Sequence, residues 1–176
     1  MTIPTPSASK LSVTASVAQR CAAARVYADT HHGAQMYGSQ RYVYHLDWVA
    51  RLAAHYGLPE HHRVAAYLHD LLEDTNVTKQ ELEAEFGQEV ADIVDSLTGE
   101  GETRAECRDS MVAKLKLRPE HAPLKLMDRL ANVEAAAQEG RVDLLKMYRG
   151  EMAYYADLFE NAHPDAYARL CQLLSC

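Results

Sequence analysis

The sequence predicts an all-α, single-domain protein. Apolar residues recur at helical spacing in successive segments, and Gly, Pro and capping residues separate these segments. We find no segment with the period-two alternation of a half-buried strand, and no internal repeat or linker. With 176 residues, 48% of them hydrophobic, the chain can bury a core without disulfides or a structural metal.

The first half of the chain contains three predicted helices, at about residues 15–28, 42–56 and 60–73. The sequence His31-His32-Gly33 is expected to end the first helix, and the segment up to Arg41 has no periodic pattern, which predicts a loop. The second helix ends at Gly57 with Pro59 just beyond, a usual stop signal.

The second half contains six further predicted helices, at about residues 78–85, 88–97, 104–117, 123–133, 143–159 and 164–174. A capping box from Thr78 to Glu81 begins the first of them. Residues 98–103 include two glycines and form a polar loop of the kind that often covers a site. Residues 1–15, rich in Ser, Thr and Pro, are predicted to be a flexible tail before a domain over 16–176.

Composition excludes some functions. A net charge of −7 argues against a nucleic-acid-binding surface but leaves room for a small anionic ligand in one cleft. No apolar run approaches the roughly 18 residues of a membrane span. The four cysteines lack paired or metal-type spacing and no secretory signal precedes them, so we expect reduced thiols and a cytoplasmic location.

The segment over residues 64–75 places titratable groups within an apolar run. It contains His69, Asp70, Glu73 and Asp74, and buried charges of this kind need a partner such as a metal ion. In a helix, Glu73 and Asp74 would lie one turn beyond the His-Asp pair. This spacing predicts a metal site with a second pair of carboxylates beside it.

Three predicted helices supply a candidate ligand set, which consists of His45, His69, Asp70 and Asp128. Two imidazoles and two carboxylates suit divalent manganese, iron or zinc better than calcium or a thiolate-selected metal. Four protein ligands leave open positions for a water and a phosphate oxygen on a six-coordinate ion. Glu73 and Asp74 could orient that water or move its proton.

Each assignment has a simpler alternative. His45 could be a first-turn residue without a special role, and Asp128 could be a buried acid paired with Arg129 or Arg41. Asn132 shares a helical face with Asp128, where it could contact substrate or cap a backbone group. Five other histidines lie at predicted helix ends or in turns, and we expect no role for them: His55, His61, His62, His121 and His163.

The motifs, taken together, resemble those of the HD metal-dependent phosphohydrolases, and within them the hydrolase domain of RelA/SpoT-type alarmone enzymes and the small alarmone hydrolases. The matching residues are His45, Leu68-His69-Asp70-Leu-Leu-Glu73-Asp74-Thr75, Phe86-Gly87-Gln-Glu-Val90, Leu97-Thr98 and Lys125-Leu-Met-Asp128-Arg129-Leu-Ala-Asn132. The resemblance covers roughly residues 20–160.

The resemblance implies an HD-type helical bundle around one Mn²⁺ ion, with Fe²⁺, Zn²⁺ or Mg²⁺ as alternatives. It implies metal ligands at His45, His69, Asp70 and Asp128, with Glu73 and Asp74 serving the attacking water. The implied activity is removal of pyrophosphate from the 3′ position of (p)ppGpp, giving GDP or GTP. His31 and Asn132 match two further family positions, one before the second helix and one after the metal-binding aspartate.

The segment before His45 departs from the family pattern. Met36 and Tyr37 stand where the family usually has an Arg-Lys pair that packs on guanine, Ser39 replaces a Gly, and Arg41 replaces a Pro. Only Tyr42 is kept. The resemblance therefore supports metal chemistry better than it supports guanine recognition.

Seven residues are predicted to contact substrate: His31, Arg41, Tyr42, Asn132, Lys146, Tyr148 and Arg149. Arg104 and Arg108 are further candidates for phosphate contacts. Two other functions stay open, a phosphatase acting on another nucleotide, such as one of NADPH type, and a non-catalytic nucleotide sensor or antitoxin partner. The oligomeric state also stays open.

Overall fold

A computed structural model describes residues 15–175 of the chain. The predicted tail, residues 1–15, lies outside this range except for its last residue. Among the described residues, no helix combines the length and the apolar character needed to cross a membrane.

Residues 15–175 form helices joined by short connections, together with one small hairpin. In chain order the elements are α1 (Val17–His32), β1 (Met36–Tyr37), β2 (Gln40–Arg41), α2 (Val43–His55), α3 (Glu60–Leu68), α4 (Leu71–Asp74), α5 (Lys79–Phe86), α6 (Gln88–Leu97), α7 (Arg104–Leu117), a 3-10 helix (Pro119–His121), α8 (Ala122–Gln138), α9 (Val142–Ala162) and α10 (Pro164–Leu174). The all-α prediction is confirmed, and so is the capping box from Thr78 to Glu81.

The first helix is longer than predicted. α1 continues through His31 and His32, which the sequence placed in a loop, and it ends at Gly33 with a φ of 56°. His32 lies one turn after Ala28 on the buried face of α1, so packing extends the helix past the residues that were expected to break it. Glycine permits the positive φ that ends it.

The loop predicted before α2 contains an antiparallel hairpin, which the sequence does not predict. Met36 pairs with Arg41 and Tyr37 with Gln40. Strands of two residues are too short to show a period of two in the sequence.

The helix predicted over residues 60–73 is interrupted at its functional motif. α3 ends at Leu68 and α4 begins at Leu71, with Asp70 between them at φ −99° and ψ −1°. Such bridge-region dihedrals are common at active-site residues. The single continuous helix predicted here is therefore wrong.

The candidate metal site lies where α2, α3 and α8 meet. α3 packs against α1, α2 and α6, while α8 packs against α2, α9 and α10. Leu68 and Leu71, on either side of the interruption, are fully buried, as are Leu124 and Leu130 on α8. Each such leucine contributes about 1.5–3 kcal/mol through burial, which anchors the polar residues between them.

Candidate metal centre

Four predicted ligands converge from α2, the α3–α4 interruption and α8. One ligand atom from each of His45, His69 and Asp70 lies within 4.8 Å of the others. Asp128 Oδ1 completes the cluster, at 3.3 Å from His45 Nε2 and 3.6 Å from His69 Nε2. His45 is 2% exposed, which distinguishes it from an ordinary first-turn residue.

The donor atoms fit a divalent cation. His69 Nδ1 lies 3.0 Å from the Ala66 carbonyl oxygen, to which it can donate, and this leaves the Nε2 lone pair directed at the cluster. Nε2 is buried without a hydrogen-bond partner among the described residues, although Asp70 Oδ2 lies only 3.0 Å away. A lone pair facing a carboxylate at this distance needs a positive charge between them, which a metal ion supplies.

Without a metal, protons perform this role. Burial opposes a charged His69, but Asp70 and Asp128 outweigh burial and hold the imidazole pKa well above its usual value. Burial likewise opposes a charged Asp70, yet neighbouring His69 outweighs it and lowers the carboxyl pKa. The cluster therefore favours a bound positive charge.

Asp128 is held by partners other than the predicted arginines. Lys125 Nζ donates to Asp128 Oδ2 at 2.8 Å, and Asn132 Nδ2 donates to Oδ1 at 2.6 Å. Arg129 bonds Glu151 instead, at 2.7 Å. Lys125 was not predicted as a site residue, although its position three residues before Asp128 was a usable signal.

Arg41, the other predicted partner of Asp128, contacts the end of α1. Its guanidinium pairs with Asp29 Oδ1 at 2.9 Å and donates to the Gly33 carbonyl oxygen at 3.1 Å. Its placement gives no direct support to a substrate contact.

Tyr37 is part of the site, although in the sequence it is distinguished only as a departure from the family pattern. Its hydroxyl donates to Asn132 Oδ1 at 2.8 Å, and its ring stacks on His45 with centroids 4.7 Å apart. Burial raises the pKa of the Tyr37 hydroxyl, with nearby Tyr148 and Asp128 adding to the effect. Tyr37 therefore stays a neutral donor that orients Asn132.

Tyr42 performs a similar role for Asp70. Its hydroxyl donates to Asp70 Oδ2 at 2.6 Å, and its ring stacks on His32 at 4.4 Å. Burial, followed by the charge of Asp70, raises the pKa of this hydroxyl far above its usual value. The predicted substrate residues Tyr42 and Asn132 thus both contact candidate metal ligands.

The two carboxylates beyond the cluster are held from different segments. Glu73 Oε1 accepts the Gly99 backbone N–H at 2.5 Å, and Asp74 Oδ2 accepts the Gln35 side-chain amide at 2.8 Å. Loss of hydration beside the surrounding protein raises the pKa of the Glu73 carboxyl group above its usual value, although the Gly99 N–H and Lys125 act in the opposite direction. The predicted polar loop over 98–103 therefore contacts the site through Gly99.

The remaining predicted substrate residues lie around α1 and α9. His31 is exposed on α1 with its ring 4.3 Å from Tyr27, and Lys146 is exposed on α9. Tyr148 packs against the guanidinium of Arg129, which lies next to Asp128 in sequence. Arg149 Nε donates to the Leu174 carbonyl oxygen at 2.5 Å, so α10 already engages it.

The two further phosphate candidates on α7 also have protein partners. Arg104 donates to both Glu151 oxygens, at 2.7 and 3.2 Å. The Arg108 guanidinium lies over the Tyr154 ring, 3.7 Å from its centroid.

A helical bundle with adjacent His and Asp residues at a helix interruption, joined by a His and an Asp from two other helices, is the arrangement of an HD-type domain. The HD domain family model matches residues 23–118, more than half of the chain. The chain therefore belongs to the HD domain family.

Several similar curated proteins share one name, guanosine-3′,5′-bis(diphosphate) 3′-pyrophosphohydrolase. The Vibrio cholerae protein is 40% identical over 70 residues, which is 40% of this chain and 10% of that protein. The Aquifex aeolicus protein is 32% identical over 138 residues, or 75% of this chain and 20% of that protein. A Xenopus tropicalis protein is 37% identical over 105 residues, or 52% of this chain and 54% of that protein. The chain thus spans a tenth to a fifth of the two bacterial relatives and about half of the Xenopus one.

Solved structures share the fold. A metazoan ortholog of SpoT, described as hydrolysing ppGpp, superposes with a TM-score of 0.74 at 21% identity, covering 89% of this chain and 94% of that chain. A Listeria monocytogenes structure gives a TM-score of 0.62 at 26% identity, covering 74% of this chain and 96% of that chain.

Proposed function

We propose that this protein is a metal-dependent phosphohydrolase that removes pyrophosphate from the 3′ position of (p)ppGpp, giving GDP or GTP. The observation that carries the proposal is the convergence of His45, His69, Asp70 and Asp128 on one point, with an unpartnered buried imidazole nitrogen. The names of the similar proteins from Vibrio, Aquifex and Xenopus support the substrate.

Mn²⁺ is the ion we propose for this centre. The mixed nitrogen and oxygen donors of the residue cluster also accommodate Fe²⁺, Zn²⁺ and, less well, Mg²⁺. When bound, a divalent ion supplies Lewis-acid chemistry that polarises a phosphate oxygen and makes water more acidic. His45, His69, Asp70 and Asp128 would hold the ion.

The other site residues orient groups and move protons. Glu73 and Asp74 are proposed to position the attacking water and to accept its proton, in keeping with their place one turn beyond the ligands. A carboxyl group with a raised pKa, as at Glu73, is a better general base than an ordinary surface glutamate. Tyr42 and Asn132 keep Asp70 and Asp128 in one orientation.

A second candidate is the same hydrolysis on another nucleotide, such as one of NADPH type. Tyr37 favours this second candidate, because a tyrosine supplies no cation to guanine where the family usually has an Arg-Lys pair. Its hydroxyl is also engaged by Asn132, and its ring covers His45. Competition between nucleotides at fixed Mn²⁺ concentration distinguishes the two substrates. A sensor without turnover is disfavoured, because binding alone does not require the held carboxylates Glu73 and Asp74.

The direct test is pyrophosphate release from ppGpp by the purified protein with Mn²⁺. Asp70→Ala should lose metal and activity together, whereas Glu73→Ala should keep the metal and lose at least about 100-fold in rate, as expected for loss of a general base. Glu83→Ala, an exposed glutamate on α5, is the matched control and should retain wild-type activity. Full metal occupancy in Asp70→Ala would show that the ligand set is wrong.

Failure to release pyrophosphate with Mn²⁺ bound would overturn the proposed substrate and keep the metal centre. A panel of other nucleotides then identifies what the site hydrolyses.

We propose a cytoplasmic location and a small-molecule nucleotide partner, without nucleic acid or membrane. Three described cysteines, Cys21, Cys107 and Cys171, are free thiols, which suits a reducing compartment. The net charge of −7 supports the absence of a nucleic-acid partner.

A further inference from the structure

Gln35 links the end of α1 to one of the two proposed catalytic carboxylates. Its Nε2 donates to Asp74 Oδ2 at 2.8 Å, and its Oε1 lies 2.8 Å from His32 Nδ1. Gln35 and Asp74 are 39 positions apart in the chain. The connection between α1 and β1 therefore reaches the second carboxylate directly, through a residue that neither the motifs nor the ligand set includes.

The orientation of the Gln35 amide is determined by its surroundings. A carboxylate can only accept, so the amide nitrogen must face Asp74 and the amide oxygen must face His32. His32 then carries its proton on Nδ1. The histidine is 7% exposed and its ring is stacked on Tyr42, so it cannot turn away freely.

The backbone also holds Gln35 in place. Its N–H donates to the His32 carbonyl oxygen at 3.0 Å, and its own carbonyl oxygen accepts the Tyr42 N–H at 3.0 Å. Both main-chain groups and both amide atoms are thus engaged by one cluster, composed of His32, Gln35, Tyr42 and Asp74. Asp74 is itself exposed at the end of the short helix α4, where an unsupported carboxylate would sample several rotamers.

We propose that Gln35 is a positioning residue that holds Asp74 in the rotamer required for turnover. The inference rests on the proposed function, because it assumes that Asp74 serves the attacking water. Glu73 has a corresponding support in the Gly99 N–H, so each carboxylate of the pair is held from a different loop. A residue acting in this way affects kcat, and it affects neither metal binding nor KM.

The experiment compares Gln35→Leu and Gln35→Glu with the matched control Gln40→Leu, an exposed glutamine in the adjacent hairpin. Steady-state pyrophosphate release gives kcat and KM, and titration gives the Mn²⁺ affinity. We expect kcat to fall about 10- to 100-fold in both Gln35 variants, as displacement of a reacting group by about 1 Å can cause. KM, Mn²⁺ affinity and the control should stay within twofold of wild type.

A second measurement does not depend on turnover. The side-chain amide resonance of Gln35, assigned by its loss in Gln35→Leu, should shift in Asp74→Asn and stay unchanged in Gln40→Leu. This shift reports the contact between Gln35 and Asp74 even if the wild-type protein releases no pyrophosphate. Absence of pyrophosphate release would overturn both the proposed function and the positioning role of Gln35. The contact itself would still be measured by the amide shift.

Three results would overturn the positioning role. They are a wild-type kcat in Gln35→Leu, a loss of Mn²⁺ affinity that accounts for its lower rate, and a Gln35 amide resonance that ignores Asp74→Asn. A fall in kcat confined to the Gln35 variants, with the amide shift, supports it.

Discussion

Lys125→Met tests the electrostatic design of the metal centre without relying on activity. The substitution removes an ammonium group that lies 2.8 Å from Asp128 Oδ2, in a pair whose side chains are only 13% and 8% exposed. Methionine keeps most of the length and packing of the lysine stem. Asp128 is left as a buried carboxylate beside the carboxylate of Asp70, which is the costly result of removing one member of a buried pair.

The expected loss of unfolding free energy is about 3 kcal/mol in the metal-free protein, at the low end of the roughly 3–5 kcal/mol typical of broken buried pairs. The low end applies because Asn132 still donates to Asp128 at 2.6 Å. A divalent ion would replace the missing positive charge, so Mn²⁺ should stabilise Lys125→Met more than it stabilises the wild type.

The assay is urea denaturation in EDTA and in saturating Mn²⁺. With an m-value of about 1–3 kcal/mol/M, the metal-free midpoint should fall by about 1–3 M. Lys116→Met, an exposed lysine on α7, is the control and should change stability by less than about 0.5 kcal/mol. A metal-free loss below about 1 kcal/mol, or a loss that Mn²⁺ leaves unchanged, would refute the reasoning.

Two further substitutions test the loop and a buried histidine pair. Gly99→Ala should lower kcat by about tenfold and leave Mn²⁺ affinity unchanged, because its Cβ would lie 2.7 Å from the Cys107 carbonyl oxygen and the shifted loop would release Glu73. In His62→Gln, the free energy of unfolding should fall less steeply than in the wild type as the pH is lowered. Burial lowers the pKa of both His62 and His121 below 6.5. Their contribution to the free energy of unfolding is therefore complete above pH 6.5 and is lost as the pH falls through the lowered pKa values. The loss is up to about 1.4 kcal/mol per pH unit and group.

Steady-state kinetics with a metal titration checks the first of these predictions, and urea denaturation at several pH values between 5 and 8 checks the second. Wild-type kcat in Gly99→Ala would show that the Gly99 N–H does not position Glu73. Identical pH slopes for the wild type and His62→Gln would show that folding does not lower the pKa of His62. His61→Gln, at the neighbouring and more exposed position, is the matched control.

The histidine pair shows that position along a helix does not reveal burial. His62 and His121 were expected to have no role because they lie at predicted helix ends. Both are buried, with rings 6.2 Å apart, and His121 Nδ1 lies 2.8 Å from Ser96 Oγ. A helix end on the surface and one packed against a neighbouring helix have the same local sequence signals, so burial here depends on how α3, α6 and the 3-10 helix meet.

The candidate ligand set illustrates the opposite case. His69, Asp70 and Asp128 stand among apolar residues that must be buried, so the sequence itself indicates that these polar groups lie inside the protein. The structure brings them together with His45 at one point. Their role as metal ligands stays a prediction that Asp70→Ala tests.

The long-range hydrogen bonds around the site could not be read from the sequence. Tyr37 contacts Asn132 from 95 positions away, and Gln35 contacts Asp74 from 39 positions away. In the sequence, Tyr37 is distinguished only as a departure from a family pattern, and no pattern distinguishes Gln35. Lys125 and Asn132, three and four residues from Asp128, are partners whose helical spacing is visible in the sequence.

The sequence by itself determined the helical class, the positions of most helices and the identity of the candidate ligands, because helical periodicity, caps and buried polar residues are local signals. Only the tertiary structure decided the interruption between α3 and α4, the hairpin before α2, and the hydrogen bonds that orient each carboxylate. Those features depend on contacts between segments far apart in the chain, which form only when the helices pack.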